Sequence, residues 1–190
     1  MLIKAPLIYQ YGDYSVAAKP PERILAEGYL RLEKEGSCEL VYHEGEHSLT
    51  WFLTQFVKNQ AAILTLCKEN RVLGFAWFNY LMKIGATEYK KAEAGIAFFR
   101  KTSPRDALMT AAMGTEWAFN ELGVDVILSV TPEPNKAAVR FFKRLGREPF
   151  GPIPMMTCFP DGKGGYEPCG AYVSAMTKVK WQETRKQFLE

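Results

Sequence analysis

Cysteine is scarce in this chain: there are four in 190 residues (Cys38, Cys67, Cys158 and Cys169), and no two of them form a C-x-x-C pair. That spacing excludes a zinc ribbon and supplies no disulfide framework, so the thiols are expected to be free in a reducing compartment. No apolar run approaches the ~20 residues of a membrane-spanning helix, and the first twenty residues hold no apolar stretch of signal-peptide length. A soluble, cytoplasmic protein with no membrane partner is the expectation. An excess of one charge is also lacking. The 24 Lys and Arg against 21 Asp and Glu leave a net charge of +3, too small a surplus to imply a nucleic-acid partner. There is no internal repeat, and Pro and Gly fall between periodic segments, so residues 1–190 read as a single domain. What the chain does have is material for a core, with 47% hydrophobic and 13% aromatic residues.

Histidine occurs only twice, and both copies lie in HEGEH, His43 to His47. H-E-x-x-H on a helix is how many zinc peptidases hold their metal, with the glutamate as base. Extending the following helix backward passes its apolar stripe through Gly45, Tyr42 and Val41, which leaves both histidines on the wet side. Gly45 costs about 1 kcal/mol of helix propensity, and Ser48 is placed to start a helix after the motif. A polar lead-in to a helix is the preferred reading, with no metal site, and a zinc peptidase is kept only as a remote alternative.

Leu49, Phe52, Leu53, Phe56 and Val57 follow at the spacing of one helix face, capped by Ser48. AAILTLCKE (61–69) and VLGFAWFNYLMK (72–83) read as an antiparallel hairpin turning at Asn70 and Arg71. AEAGIAFF (92–99) is fit for a central strand. A helix from Ser103 to about Leu122 has Pro104 at its first position and Asp106 completing a capping box, with Gly123 as its stop. Its inward face is Leu108, Ala111, Ala112, Thr115, Phe119 and Leu122. VDVILSV (124–130) reads as a buried strand reached by a right-handed crossover, so the sheet is mixed. NKAAVRFFKRLG (135–146) is a short helix capped by Asn135, with Ala138, Phe141, Phe142 and Leu145 inward and Gly146 at its end. Two more strands, around 147–158 and 170–181, complete the order, linked by FPDGKGGYEP. The tail KVKWQETRKQ (178–187) reads as the solvated end of the last strand.

At EWAFNELGVDVILSVTPEPNKAAVRFFKRLG (116–146) the sequence resembles the acetyl-CoA-binding half of the GNAT superfamily of N-acetyltransferases. Asn135, Ala138, Phe142, Leu145 and Gly146 fill the places of that family's N-x-x-A, aromatic, L-G pattern. The resemblance covers roughly residues 60–150. It implies an α/β (α+β), three-layer fold with a central mixed, mostly antiparallel sheet, splayed between two parallel strands and flanked by helices. It also implies transfer of an acetyl group from acetyl-CoA to a primary amine by direct attack. The acceptor would be a small-molecule or protein amine, and a homodimer is compatible with the family.

Carried over residue by residue, the resemblance makes Glu93 the base that deprotonates the amine; a solvated strand-end Glu is the plain alternative. It places cofactor contacts at Ala97, Phe98 and Phe99 of the strand, and at Arg100, Lys101, Thr102, Ser103, Arg105, Asp106 and Ala107 of the phosphate loop. On the second motif it places them at Asn135, Ala138 and Phe142. Two departures stand out. The loop lacks the family's glycines, and its capping box would put the Asp106 carboxylate where a pyrophosphate belongs. Arg100, Lys101 and Arg105 are left as side-chain phosphate ligands. Phe142 replaces a proton-donating tyrosine, so Ser129, Cys158 or Tyr166 must serve the departing thiolate, or it leaves unassisted. A GNAT-like module without catalysis is therefore the competing expectation. Trp77, Phe78 and Tyr80 imply a partly apolar acceptor pocket.

Overall fold

The computed structural model describes residues 8–41 and 48–190; HEGEH lies outside the described residues. A single sheet of eight strands runs in the order β1-β2-β3-β4-β5-β6-β8-β7. Its members are β1 (Ile8–Tyr11), β2 (Tyr14–Ala18), β3 (Ala62–Lys68), β4 (Arg71–Lys83), β5 (Lys90–Phe98), β6 (Val126–Pro132), β7 (Glu148–Pro160) and β8 (Tyr166–Thr177). Every neighbouring pair is antiparallel except β5 and β6. The expected hairpin is β3 and β4, and the expected mixed, mostly antiparallel sheet is present.

Alternation along the strands separates two cores. Leu64, Leu66, Ala76, Phe78, Ala92 and Ile127 face α4 (Pro104–Trp117), the crossover helix, in the larger one. Ile63, Phe75, Trp77, Ala97 and Phe99 face the other way, against α1 (Glu22–Lys34), the short α2 (Cys38–Val41) and the helical stretch 49–59. The sheet is therefore the middle of three layers. α1 was not anticipated, although Leu25, Gly28, Tyr29 and Leu32 are buried at the spacing of one helix face.

Residues 49–59 form a helix that changes pitch: α3 (Leu49–Trp51), a π turn over Phe52–Phe56 and a 3₁₀ turn over Val57–Asn59. Ser48 caps it as expected, its Oγ accepting from the Trp51 N–H at 3.1 Å. Phe52 stacks between Tyr29 and Phe56 at centroid distances of 5.0 and 5.4 Å. A π turn within a helix often marks a working site, and this one presents Trp51, Gln55 and Phe56 to the cleft described below.

Two expectations need correction. α5 (Lys136–Arg144) buries Val139 and Phe142, with Leu145 just beyond its end; Ala138 and Phe141, expected inward, are only half-buried and line a cleft. The last strand ends at Thr177, not 181. The Thr177 hydroxyl then caps α6 (Lys178–Thr184) by accepting from the Lys180 N–H, and α7 (Lys186–Leu189) follows. The segment read as solvated instead closes the large core: Trp181 is fully buried, donates through Nε1 to the Glu116 carboxylate, and stacks on Phe188. Arg185 pairs with the same carboxylate at 3.3 Å.

A cleft through the splayed sheet

β5 and β6 pair in parallel over only three positions, Lys91↔Val126, Ala92↔Ile127 and Glu93↔Leu128. Beyond Glu93 the two strands part. β5 continues beside β4 and β6 beside β8, so the edges that face each other across the gap lack a strand partner, a condition an extended ligand can meet by backbone hydrogen bonding. At the apex, the Ser129 hydroxyl donates to the Ala94 carbonyl at 2.9 Å, one residue past the last paired position.

A cleft of about 1120 Å³ opens through this gap and is lined from both faces of the sheet. On the α4 and α5 side lie Ile96, Phe98, Thr102, Leu108, Asn135 and Ala138, with Phe141 and Phe142. On the other side lie Trp51, Gln55, Phe56, Gln60, Trp77, Asn79 and Glu93. Phe56 packs edge-on to Trp77 at 5.3 Å, and Trp51 is tilted against Phe56 at 5.9 Å, which gives this half an aromatic wall. Glu93 and Asn79 are register partners on β5 and β4. The buried oxygens Asn79 Oδ1 and Gln60 Oε1 have no hydrogen-bond partner, and each can accept from a donor bound in the cleft.

Gly95 makes the aromatic wall possible. A Cβ there would lie 2.2 Å from the Trp77 indole, which rests across β5 at this point. Gly95→Ala is expected to displace Trp77 and to destabilise the protein by about 1–3 kcal/mol through overpacking. Urea unfolding measures this; a variant as stable as the parent would show that the indole moves freely.

The expected site residues divide. Glu93, Ala97, Phe98, Thr102, Asn135, Ala138 and Phe142 line the cleft. Asn135 also caps α5, its Oδ1 accepting from the Ala138 N–H at 3.1 Å. The remaining expected contacts lie off the lining. Phe99 is buried on the α1 side under the Arg31 guanidinium, 3.9 Å from its ring centroid. Arg100, Lys101, Ser103 and Arg105 are exposed around the start of α4, and Ala107 is buried in the core.

Asp106 corrects the capping-box expectation. The Ser103 hydroxyl accepts from the Asp106 N–H at 3.1 Å, and the Asp106 carboxylate is engaged chiefly elsewhere. It accepts from Tyr14 Oη at 2.8 Å and Lys68 Nζ at 3.0 Å, and so turns toward β2 and β3 and away from the cleft. Burial would raise its pKa, but the hydrogen bonds from Tyr14, Lys68 and Ser103, with the charge of Lys68, together outweigh that and lower it. The feared clash with a phosphate is thereby removed. The start of α4 is nonetheless a poor anion cradle, since Pro104 has no N–H and those of Asp106 and Ala107 bond to Ser103.

A group with a depressed folded pKa stabilises above its unfolded pKa, and that stability is lost as pH falls through the folded value. Wild-type melting temperature should therefore fall more steeply than that of Asp106→Asn below about pH 4, with the variant less stable at neutral pH. Parallel curves in a pH-dependent thermal melt would contradict this role.

Ser129, offered as a proton donor, does not line the cleft. Its single hydrogen is committed to Ala94, and the oxygen accepts from Arg147 Nη1 at 2.7 Å. Cys158 and Tyr166, on the outer hairpin of β7 and β8, do not line it either. Of the hairpin aromatics, Trp77 faces the cleft and Phe78 faces the core beside Trp117; the Tyr80 side chain lies outside the described residues. Sequence reading missed Trp51, Gln60 and Asn79, and also Arg140 and Arg144, two cations of α5 on the cleft rim. Their i, i+4 spacing beside the inward stripe was a usable signal.

Among the described residues, no group of three or more His, Cys, Asp or Glu could hold a metal ion. No helix among the described residues is long and apolar enough to cross a membrane, and the four cysteines are free thiols.

No protein-family model and no curated protein sequence matches the chain. Solved structures do. A probable GNAT-family acetyltransferase from Chromobacterium violaceum is 18% identical, with a TM-score of 0.71 over 94% of this chain and 96% of the other. Mycobacterium smegmatis RimJ, solved with CoA-disulfide, is 14% identical, with a TM-score of 0.72 over 92% of this chain and 88% of the other. Vibrio cholerae spermidine N-acetyltransferase, solved with CoA and spermine, is 12% identical, with a TM-score of 0.66 over 90% and 99%. The fold is that of the GNAT acetyltransferases, as the N-x-x-A, aromatic, L-G pattern implied.

Proposed function

We propose that the protein is an acetyl-CoA-dependent N-acetyltransferase acting on a primary amine. The observation that carries this reading is a two-sided cleft through the splay of β5 and β6, with the Glu93 carboxylate in its wall at the last paired position. Acetyl-CoA would lie on the α4 and α5 side, its pantetheine arm bonding the parted strand edges as an added strand. The thioester supplies the activated acetyl group. Because the start of α4 is a poor cradle, the phosphates fall to side chains, with Arg140 and Arg144 on the rim joining Arg100, Lys101 and Arg105.

The amine comes from the side of Trp51, Trp77 and Glu93. An amine with a pKa of ~10.4 is protonated at neutral pH and cannot attack until a base takes a proton. Glu93 takes it, while the Asn79 and Gln60 oxygens accept the remaining N–H groups and aim the lone pair along the gap. Trp51, Phe56 and Trp77 exclude water and favour a cationic group over their faces. An amine carried on a compact, partly apolar body fits such a wall.

The test is release of free thiol from acetyl-CoA in the presence of a panel of primary amines. Amine-dependent release supports transfer, and none above the blank defeats it. The internally satisfied start of α4 favours one second reading, a module that binds acyl-CoA without turnover; saturable binding with no thiol release from any amine would support that.

A further inference from the structure

Arg147 is 4% exposed, and it is the buried cation nearest the apex of the splay. Its position follows from the chain turning hard after α5. Gly146 takes φ 84°, its N–H donates to the Lys143 carbonyl at 3.0 Å, and the Arg147 N–H donates to the Phe142 carbonyl at 2.9 Å. This is a Schellman end, which needs glycine at the left-handed position. It sends the Arg147 side chain inward behind the Phe142 ring, with the guanidinium carbon 5.1 Å from the ring centroid.

The guanidinium has an unusual environment. Nη1 donates to Ser129 Oγ at 2.7 Å, and among the described residues Nε has no hydrogen-bond partner and no carboxylate acts on the guanidinium. Burial lowers its pKa to about 10, which leaves it charged at neutral pH. A small void beside it, about 20 Å³, shares Ala94, Gly95, Ile96 and Phe142 with the lining of the main cleft. A buried cation without a counter-charge costs stability. Arg147 does not line the main cleft itself but stands behind Phe142, Gly95 and Ala94, which do.

We propose that Arg147, held in place by Ser129, supplies the positive charge that stabilises the departing CoA thiolate, the task for which Phe142 has no hydroxyl. The inference rests on the acetyl-CoA reading above. In the transfer the amine lone pair forms the N–C bond, and the C–S bond breaks with its electron pair on sulfur. Glu93, having passed the ammonium's first proton to bulk water, takes the second, which the nitrogen carries after attack. The sulfur keeps its negative charge in the field of Arg147 and takes a proton from water as it leaves. Charge stabilisation thus replaces proton donation.

The experiment needs no acceptor. The ionisation of the CoA thiol bound to the protein is followed by its ultraviolet thiolate absorbance against pH, with the desulfo-CoA complex as the blank that cancels the protein's own thiols and tyrosines. In the wild type the bound thiol should ionise about one pH unit or more below that of CoA free in the same buffer. In Arg147→Met it should return to that value or above. Because the substitution removes an unpaired buried charge, the variant's melting temperature should equal or exceed the wild type's, which a merely structural arginine would not give. Arg147→Gln serves if the methionine variant does not fold. A thiol that ionises as in free solution, or one lowered equally in wild type and variants, overturns the inference. Failure of CoA to bind the wild type at all instead overturns the acetyl-CoA reading.

Discussion

Glu93→Gln should lower kcat by about 10²–10⁴ while leaving acetyl-CoA affinity unchanged. The substitution keeps the shape and polarity of the side chain but removes its ability to take a proton. Glu93 lies on the Trp51 and Trp77 side of the cleft, opposite Asn79 in the β4–β5 register, away from the α4 and α5 side proposed for the cofactor. The defect should shrink as pH approaches the amine's own pKa of ~10.4, where free base no longer needs the carboxylate. Thiol-release rates against pH for parent and variant measure this. A constant ratio across the whole range would mean that Glu93 orients the amine and does not deprotonate it.

Trp181→Ala should cost about 3–5 kcal/mol of stability, the range for truncating a fully buried tryptophan. The ring is 0% exposed and sits under the large core. Its Nε1 also satisfies the Glu116 carboxylate, itself 4% exposed, which Arg185 pairs at 3.3 Å. Removing the indole opens a cavity and takes a donor from a buried charge, two penalties that act together. Urea unfolding of the variant gives the value; a loss below about 1 kcal/mol would return the tail to the solvated end that its composition implied.

That tail shows where sequence reading failed and why. KVKWQETRKQ is mostly charged, and its one large apolar residue is isolated, so periodicity offered nothing to set against a polar strand end. The decisive facts are tertiary: a hole in the core of tryptophan size, and Glu116 of α4 needing partners. The start of α4 and the stop at Gly123 were legible, since Ser103, Pro104 and Gly123 are local signals that act locally, while the change to a π turn over Ala118–Leu122 was not. Asp106 was misread because its spacing from Ser103 satisfies the capping-box rule, while Tyr14 and Lys68, far away in sequence, offer stronger bonds. The splay was foreseen only through family resemblance. The residues missed from the sequence, Trp51, Gln60 and Asn79 in the cleft lining and Arg147 behind it, come from the helical stretch 49–59 with its C-terminal cap, β4 and the turn after α5, and no spacing rule connects them.

The central claim, that the gap between β5 and β6 holds acetyl-CoA, is tested most directly by calorimetric titration of acetyl-CoA into the wild type and into Ala138→Trp. Ala138 lines the α4 and α5 side of the cleft and is half-buried there, so the indole would fill the cleft without entering the core. Saturable one-to-one binding to the wild type, lost in the variant, is the predicted result. Absence of heat at millimolar acetyl-CoA, or equal affinity for both proteins, would contradict the account.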